Sequence, residues 1–247
     1  MGRIKCDYNW HKTGRQVFYD GSTFETIQAM YPVAVIDDFA GADVVIPASG
    51  SEESGVIWTK KLVGAAPTTV AKTANGVNGF VLCSLTADEQ KQDAALHMDD
   101  QLSLSIAQGA IFETRLSFTT LPTLAAVGSF GLWGAWADGG SAYRVGFEVP
   151  AGGIVTCESD DNATDTAAAS TVTLVAGTYN IFRIDCTTQT NIKFYIDGAR
   201  VCSTTTFANA ASAANSKAQA HLGLYKASGA GLGVMSIDYV KVWQNRS

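Results

Sequence analysis

The chain has 247 residues, of which 16% are charged, and its formal net charge is −6 at pH 7. This length can bury a large single core, and the acidic balance argues against a nucleic-acid partner, which favours a basic face. We find no apolar stretch long enough to span a bilayer, and residues 1–10 lack the apolar centre of a signal peptide. We therefore expect no membrane partner and synthesis in a cytoplasm.

Five cysteines are spread widely along the chain, and none forms a CxxC pair. They are Cys6, Cys83, Cys157, Cys186 and Cys202. The odd number and the spacing argue against a disulfide framework or a zinc site. We expect these residues to be small buried side chains of a protein made in a reducing compartment.

Residues 1–34 differ from the rest because aromatic residues occur among polar ones without a sustained period. The aromatic residues are Trp10, Phe18, Tyr19, Phe24 and Tyr31. This pattern predicts an extended N-terminal arm. The arm would pack either on a partner or over its own domain, and the sequence leaves both alternatives open.

Short strands bounded by Gly, Asn or Pro are predicted next, at residues 33–39, 56–58 and 79–83. The helical propensity of residues 86–98 conflicts with their late apolar cluster, and we expect a turn followed by a strand. Apolar residues then alternate with polar ones in Phe112–Phe118 and Tyr143–Val149. Between them, Phe130–Trp136 predicts a strand with Trp133 and Trp136 on opposite faces.

The last third of the chain gives the clearest strand pattern. Tyr179–Asp185 and Ile192–Val201 alternate as half-buried strands do, and Asp197-Gly198 predicts a type I′ turn. Met235–Trp243 is apolar on both faces and predicts a central strand. We expect an exposed hairpin tip or loop at residues 157–170 and a long loop, too polar for the core, at residues 203–218. Together these elements predict an all-β fold, a two-sheet antiparallel sandwich.

Four pieces of sequence resemble the concanavalin A-like jelly roll, the superfamily of lectins, laminin-G domains and glucanases. They are Asp37-Asp38-Phe39, Phe112–Phe118 with Leu121-Pro122, Arg183–Asp185 leading to Phe194–Gly198, and Ile237–Trp243. The resemblance covers residues 35–247 and implies one jelly-roll domain after the arm of residues 1–34. This fold hosts enzymes, lectins and structural modules.

The resemblance implies that a glucanase of this fold would carry the pattern Glu-x-Asp-x-x-Glu on one strand, and the chain has no such pattern. Glu113 shares its strand face with Arg115, and Glu148 stands alone on its strand. We expect both glutamates to be exposed charges that pair across a sheet. His11, His97 and His221 are scattered. The sequence therefore predicts a protein that is not an enzyme and that needs no cofactor.

Two further groups of side chains suggest ligands. Asp160, Asp161 and Asp165, with Asn162, could supply oxygen ligands to Ca²⁺, but their spacing matches no EF-hand loop, and we expect a solvated turn.

Aromatic side chains form the second group. Trp133, Trp136 and Tyr143 could form a platform for sugar stacking, although core packing is the commoner use of such rings. We expect Trp10 and Trp58 to be the exposed tryptophans.

The leading arm and the Ala-, Gly- and Thr-rich strands are similar in style to jelly-roll structural proteins of tailed bacteriophages. This similarity implies a virion protein that decorates or cements a capsid. Its partners would be the major capsid protein or other virion proteins, bound through Trp10, Phe18, Tyr19, Phe24 and Tyr31. Self-association, for instance as a trimer, is expected as well. The alternative function is a carbohydrate-binding, receptor-binding phage module.

Overall fold

Two large antiparallel sheets face each other in the computed structural model, which confirms the predicted jelly-roll sandwich. The structure describes residues 6–10, 16–20, 26–27, 33–40, 52–54, 57–64, 68–73, 77, 79–137, 140–210, 212 and 214–245. Within these ranges, no helix has the length and apolar character needed to cross a membrane.

The described residues form twenty strands and, at Ala214–Ser216, a short 3₁₀ helix. In chain order the strands are β1 Cys6–Trp10, β2 Gln16–Asp20, β3 Thr26–Ile27, β4 Val33–Asp37, β5 Glu52–Ser54, β6 Thr59–Val63, β7 Thr69–Lys72, β8 Val81–Leu85, β9 Gln92–His97, β10 Leu104–Ser105, β11 Ile111–Thr120, β12 Val127–Trp133, β13 Arg144–Val149, β14 Ile154–Asp160, β15 Asp165–Thr173, β16 Asn180–Asp185, β17 Lys193–Ile196, β18 Ala199–Val201, β19 Lys217–Lys226 and β20 Gly233–Gln244.

Sheet I has the strand order β15-β14-β13-β12-β19-β9-β6-β5, with β10 paired to β19. Sheet II has the order β18-β17-β16-β11-β20-β8-β7, with β4 paired to β20. Consecutive strands β12 to β15 are neighbours joined by short connections, whereas β19 returns to the sheet late in the chain. Non-local pairings therefore hold the centre of both sheets.

A chain of phenylalanine rings joins the two sheets in the core. Phe147 of sheet I contacts Phe182 and Phe194 of sheet II, each with ring centroids 5.2 Å apart. Phe194 in turn meets Phe207 at 4.8 Å, which places Phe207 in the core although its segment was predicted to be a loop too polar for the core. The rings meet edge to face, a favourable arrangement for aromatic quadrupoles.

Several predicted elements are confirmed. The segment 86–98 is a turn followed by β9, and β20 is a central strand that pairs with β11, β8 and β4. Asp197 and Gly198 have φ values of 48° and 76°, as a type I′ turn requires. The Asp197 carboxylate accepts hydrogen bonds from the Ile181 N–H at 2.8 Å and from the Asn180 amide at 2.6 Å. The turn is thereby fixed to β16.

Two segments differ from their predictions. The strand predicted at residues 56–58 begins instead at Thr59, and Trp58 is wholly buried rather than exposed. Its indole N–H donates a hydrogen bond to Asp37 Oδ2 at 2.8 Å, which ties the residue before β6 to the end of β4. Residues 157–170 contain a hairpin tip, as one predicted alternative had it, but the tip is shorter than the predicted segment, since β14 continues to Asp160 and β15 begins at Asp165.

The segment predicted to be an arm contains β1, β2 and β3, which pair with one another as a three-stranded antiparallel sheet. Trp10 lies in β1, and Phe18 and Tyr19 lie in β2. Phe24 and Tyr31 lie outside the described residues. The role of these five residues in partner binding stays a prediction.

Candidate functional site

A cleft of about 180 Å³ lies on the outer face of sheet I, the face turned away from the core. Strands β9, β19, β12 and β13 form its floor, and the loop after β12 forms a wall. Its lining residues are Asp93, Val127, Ser129, Trp133, Ala137, Gly140, Glu148, His221, Gly223, Leu224 and Tyr225.

Glycines keep the floor of this cleft low. In the sheet register Gly223 lies opposite Ser129, and Gly131 lies between His221 on one side and Gly146 on the other. A Cβ atom at Gly146 would approach Trp133 Nε1 to 3.1 Å and the carbonyl oxygen of Phe130 to 2.9 Å. Because Gly146 has no side chain, the Trp133 indole can pack directly against the backbone of the sheet.

Trp133 lies flat against His221, with ring centroids 3.9 Å apart and planes 14° from parallel. Burial lowers the pKa of His221 to about 3, and the neighbouring His97 contributes in the same direction. His221 is thus neutral at physiological pH and offers an aromatic surface to Trp133 rather than a positive charge.

Trp136 lies on the same face of sheet I as Trp133, because its ring stacks on His97 at 6.3 Å and His97 is the cross-strand neighbour of His221. The prediction of opposite faces was wrong. Strand β12 ends at Trp133 and the chain bends at residues 134–135, so strict alternation stops there. Lys61 Nζ lies 4.9 Å from the centroid of the Trp136 ring.

The side chain of Gln219 fixes this bend. Its amide nitrogen donates to the Gly134 carbonyl at 3.0 Å and to Asp100 Oδ1 at 2.6 Å, and Asp100 Oδ1 accepts the Trp136 N–H at 2.6 Å. Tyr143 packs against Gly134, where a Cβ would meet its ring at 2.5 Å. The three aromatic residues considered for sugar stacking therefore gather on the outer face of sheet I rather than in the core.

Two glutamates meet beside the cleft. Arg144 Nη2 forms an ion pair with Glu158 Oε1 and lies 4.0 Å from Glu148 Oε1, and its Nη1 lies 3.9 Å from Asp160. Burial and, to a smaller extent, the adjacent Glu148 raise the pKa of Glu158 to about 7, against the opposing effect of Arg144. Glu148 lines the cleft and Glu158 lies behind it on β14.

The sequence analysis predicted that Glu148 stands alone on its strand, but in the structure it has Glu158 and Arg144 as neighbours. The alternation in 143–149 correctly turns Arg144 and Glu148 away from the core. The partner Glu158 follows from the short Pro150–Gly153 turn, which places Glu148 opposite Thr156 and Gly146 opposite Glu158. That pairing could have been found from the two glycines of this turn.

Glu113 is also not the exposed charge that was expected, because it is wholly buried in sheet II. Its Oε1 accepts a hydrogen bond from the Tyr239 hydroxyl at 3.1 Å and lies 3.7 Å from Lys241 Nζ. Arg115 pairs with Asp238 instead. These charges belong to sheet II, not to the cleft.

In the acidic turn considered as a Ca²⁺ site, backbone N–H groups of the chain already donate hydrogen bonds to the carboxylate of Asp161. Asp161 is buried, and its carboxylate accepts the N–H groups of Ala163, Thr164 and Ala210 at 3.1, 2.8 and 3.2 Å. Asp160 lies near Arg144, and Asp165 is exposed at the start of β15. Among the described residues, no group of three or more His, Cys, Asp or Glu residues is arranged to hold a metal ion.

The sandwich with a cleft on the outer face of one sheet is a concanavalin A-like jelly roll. The chain belongs to the family described as SO2946-like, C-terminal domain, whose model matches residues 94–238. Among curated proteins, none matches the sequence.

Three solved structures share the fold. The protein of unknown function SO2946 from Shewanella oneidensis MR-1 has a TM-score of 0.58 at 14% identity, covering 92% of this chain and 93% of that one. An endo-1,3-beta-glucanase from Streptomyces sioyaensis has a TM-score of 0.55 at 16% identity, covering 90% and 100%. A beta-1,3-glucanase from Mycobacterium marinum has a TM-score of 0.54 at 17% identity, covering 88% and 100%.

These comparisons contradict the prediction that the chain is not an enzyme, since glucanases have the same fold over nearly its whole length. The exclusion rested on the absence of an acidic pattern within one strand. The structure instead brings together two glutamates from adjacent strands, a juxtaposition that a search along one strand cannot detect.

Proposed function

We propose that the protein binds a neutral carbohydrate chain in the cleft on the outer face of sheet I. The observation that carries the proposal is the combination of aromatic rings and carboxylates around a floor of bare backbone. Tyr225 supplies a half-buried ring and Trp133 a largely buried one, while the half-buried Glu148 and the more deeply buried Asp93 and Ser129 supply polar groups. Carbohydrate sites combine an apolar surface for the sugar face with acceptors for its hydroxyl groups.

The size and charge of the cleft indicate the class of ligand. A volume of about 180 Å³ is below the roughly 300–1,000 Å³ of pockets that enclose a drug-sized ligand, so one sugar ring would sit in the cleft while its neighbours lie across the open sheet. Asp93 and Glu148 accept hydroxyl hydrogens but repel anions. A neutral glycan therefore fits the cleft better than a sulfated or uronic-acid glycan.

A glycan array tests this proposal, with neutral β-glucans and acidic glycans presented side by side, with and without calcium. Matched variants locate the site: Tyr225→Ala removes a ring from the cleft, whereas Tyr195→Ala removes a half-buried ring from sheet II. We expect binding to neutral glycans that falls about tenfold or more in the first variant and is unchanged in the second. Equal loss in both variants, or no binding to any neutral glycan, would refute the proposal.

A second candidate function is hydrolysis of the bound glycan, and the paired Glu148 and Glu158 favour it. Glycosidases use one carboxyl group as a proton donor and a second one as nucleophile or base. A pKa of about 7 leaves Glu158 partly protonated near neutral pH, and because Glu158 is buried behind the cleft its proton would pass to the sugar through the adjacent Glu148. Glu148 would be the carboxylate that faces the sugar, because it lines the cleft.

Release of reducing ends from β-glucans separates binding from hydrolysis. If the pair is catalytic, Glu158→Gln removes the titrating proton and abolishes release, while binding on the array persists. Asp238→Asn, which alters an ion pair on sheet II, is the control and should leave release unchanged. Binding without release by the wild-type protein would leave binding as the function and exclude hydrolysis of the glycans tested.

A role as a virion decoration protein stays a prediction. It rests on the N-terminal segment and on the Ala-, Gly- and Thr-rich composition of the strands. Its test is separate from that of the cleft. A variant lacking residues 1–34 should fail to join particles if this segment is the anchor.

A further inference from the structure

Two cysteines from different sheets meet near one edge of the sandwich. Cys157 lies in β14 of sheet I with its side chain buried in the core, and its cross-strand partner is Ala168 of β15. Cys202 follows β18, the edge strand of sheet II, and its Sγ lies 3.3 Å from the carbonyl oxygen of Ala168. The Cys202 thiol therefore lies at the backbone directly across from Cys157.

The two thiols are neighbours, since Cys157 belongs to the hydrophobic core, Cys202 packs against that core, and the Cys202 thiol helps to raise the pKa of Cys157. Cys202 has a positive φ of 50°, which turns it out of line with β18. Cys157 is fully buried, whereas Cys202 is partly exposed, so a reagent in solution can reach Cys202 first.

The other described cysteines have a different setting. Cys83 and Cys186 are fully buried and have no cysteine beside them among the described residues. Cys83 and Cys186 are free cysteines, as are Cys157 and Cys202. Among the four cysteines whose side chains the structure describes, only Cys157 and Cys202 combine two neighbouring thiols with access from solvent on one side.

We propose that Cys157 and Cys202 form a disulfide that covalently joins sheet I to sheet II when the protein meets an oxidising thiol pool. The oxidant is a low-molecular-weight disulfide such as oxidised glutathione. The Cys202 thiolate attacks one sulfur of this reagent, forms a mixed disulfide and releases one thiolate. The Cys157 sulfur then attacks Cys202 Sγ and releases the second thiolate.

The step is balanced in atoms and electrons. The two protein thiols lose two electrons and two protons, and one molecule of the small disulfide becomes two thiols. Burial raises the pKa of the Cys157 thiol, so Cys202 makes the first attack and the second step is the slower one. The bond would close a loop from residue 157 to residue 202 and would restrict the unfolded chain.

The test uses the full chain, incubated with oxidised glutathione and then alkylated, digested and analysed by peptide mass. Wild type should yield a linked pair of peptides containing Cys157 and Cys202 and a Tm raised by roughly 5–15 °C, both reversed by dithiothreitol. Cys202→Ala should yield neither change. Cys186→Ala, a core cysteine outside the pair, should still yield both.

Two results would overturn the proposal. One is a stable glutathione adduct on Cys202 with Cys157 still reduced, which would show that the second sulfur cannot reach the first. The other is no modification of either cysteine under conditions that oxidise an unstructured control peptide. Because Cys202 is partly exposed, its alanine variant should fold, and a matching circular-dichroism spectrum checks this.

Discussion

Acid should weaken the folded protein through His221, because this residue is buried as the neutral ring beneath Trp133. Its pKa is about 3 in the folded protein, against 6.5 for an unperturbed histidine. Below pH 6.5 His221 is protonated in the unfolded chain but stays neutral in the folded protein until the pH approaches 3. The free energy of unfolding therefore falls as pH decreases from 6.5 towards 3.

The size of this effect follows from the two pKa values. Between about pH 7 and about pH 5, the His221 contribution to the free energy of unfolding falls by about 2 kcal/mol, since one pKa unit corresponds to about 1.4 kcal/mol. Substitution by phenylalanine keeps an aromatic ring against Trp133 but removes the titrating group. His221→Phe should therefore lose about 2 kcal/mol less than wild type over the same interval.

Urea unfolding followed by tryptophan fluorescence at both pH values measures this difference. Other titrating groups cancel in the comparison, apart from His97, which contributes to the lowered pKa of His221. His97→Phe serves as a second variant that reveals this coupling. Identical pH dependence in wild type and His221→Phe, with unchanged m-values, would refute the inference that His221 is buried as a neutral ring.

Three further predictions concern stability, each measured by urea or thermal unfolding. Gly79→Ala should cost more than about 2 kcal/mol, because its Cβ would lie 2.3 Å from a backbone oxygen at a φ of 72°, whereas Gly152→Ala, at a φ of 90° with open space around it, should cost about 1 kcal/mol. Glu113→Gln should cost roughly 1–3 kcal/mol because it removes the charge of a wholly buried carboxylate that lies 3.7 Å from the Lys241 ammonium, while Asp238→Asn on the partly exposed pair should cost under about 1 kcal/mol. Asp197→Ala should cost roughly 1–2 kcal/mol through two lost hydrogen bonds, and the result would contradict this account if Asp197→Asn were equally harmful.

The strands of the sandwich could be predicted where one face of the strand is buried and the other is exposed to solvent. Residues 143–149 alternate for that reason, whereas the polar face of residues 112–118 is itself mostly buried. The Asp197-Gly198 turn follows from the positive φ that both positions need. The boundary at Trp58 could not be predicted, because its burial depends on a hydrogen bond to Asp37, which is remote in sequence.

The cleft was harder to predict than the fold because its residues come from four strands. The direction of Trp136 depends on a bend that Gln219, more than eighty residues later, holds in place. Likewise, Glu148 and Glu158 become neighbours only when β13 and β14 pair. Strand periodicity gives the face of a residue, but it does not give its neighbours in the sheet.

Blocking the cleft tests the central claim most directly. Ser129 lines its floor, and Ser129→Tyr would place a ring where we propose that a sugar ring sits. We predict that a neutral oligosaccharide chosen from the array binds wild type and binds this variant at least about tenfold more weakly, at equal Tm. Equal dissociation constants for the two folded proteins would contradict the claim that the cleft of sheet I is the carbohydrate site.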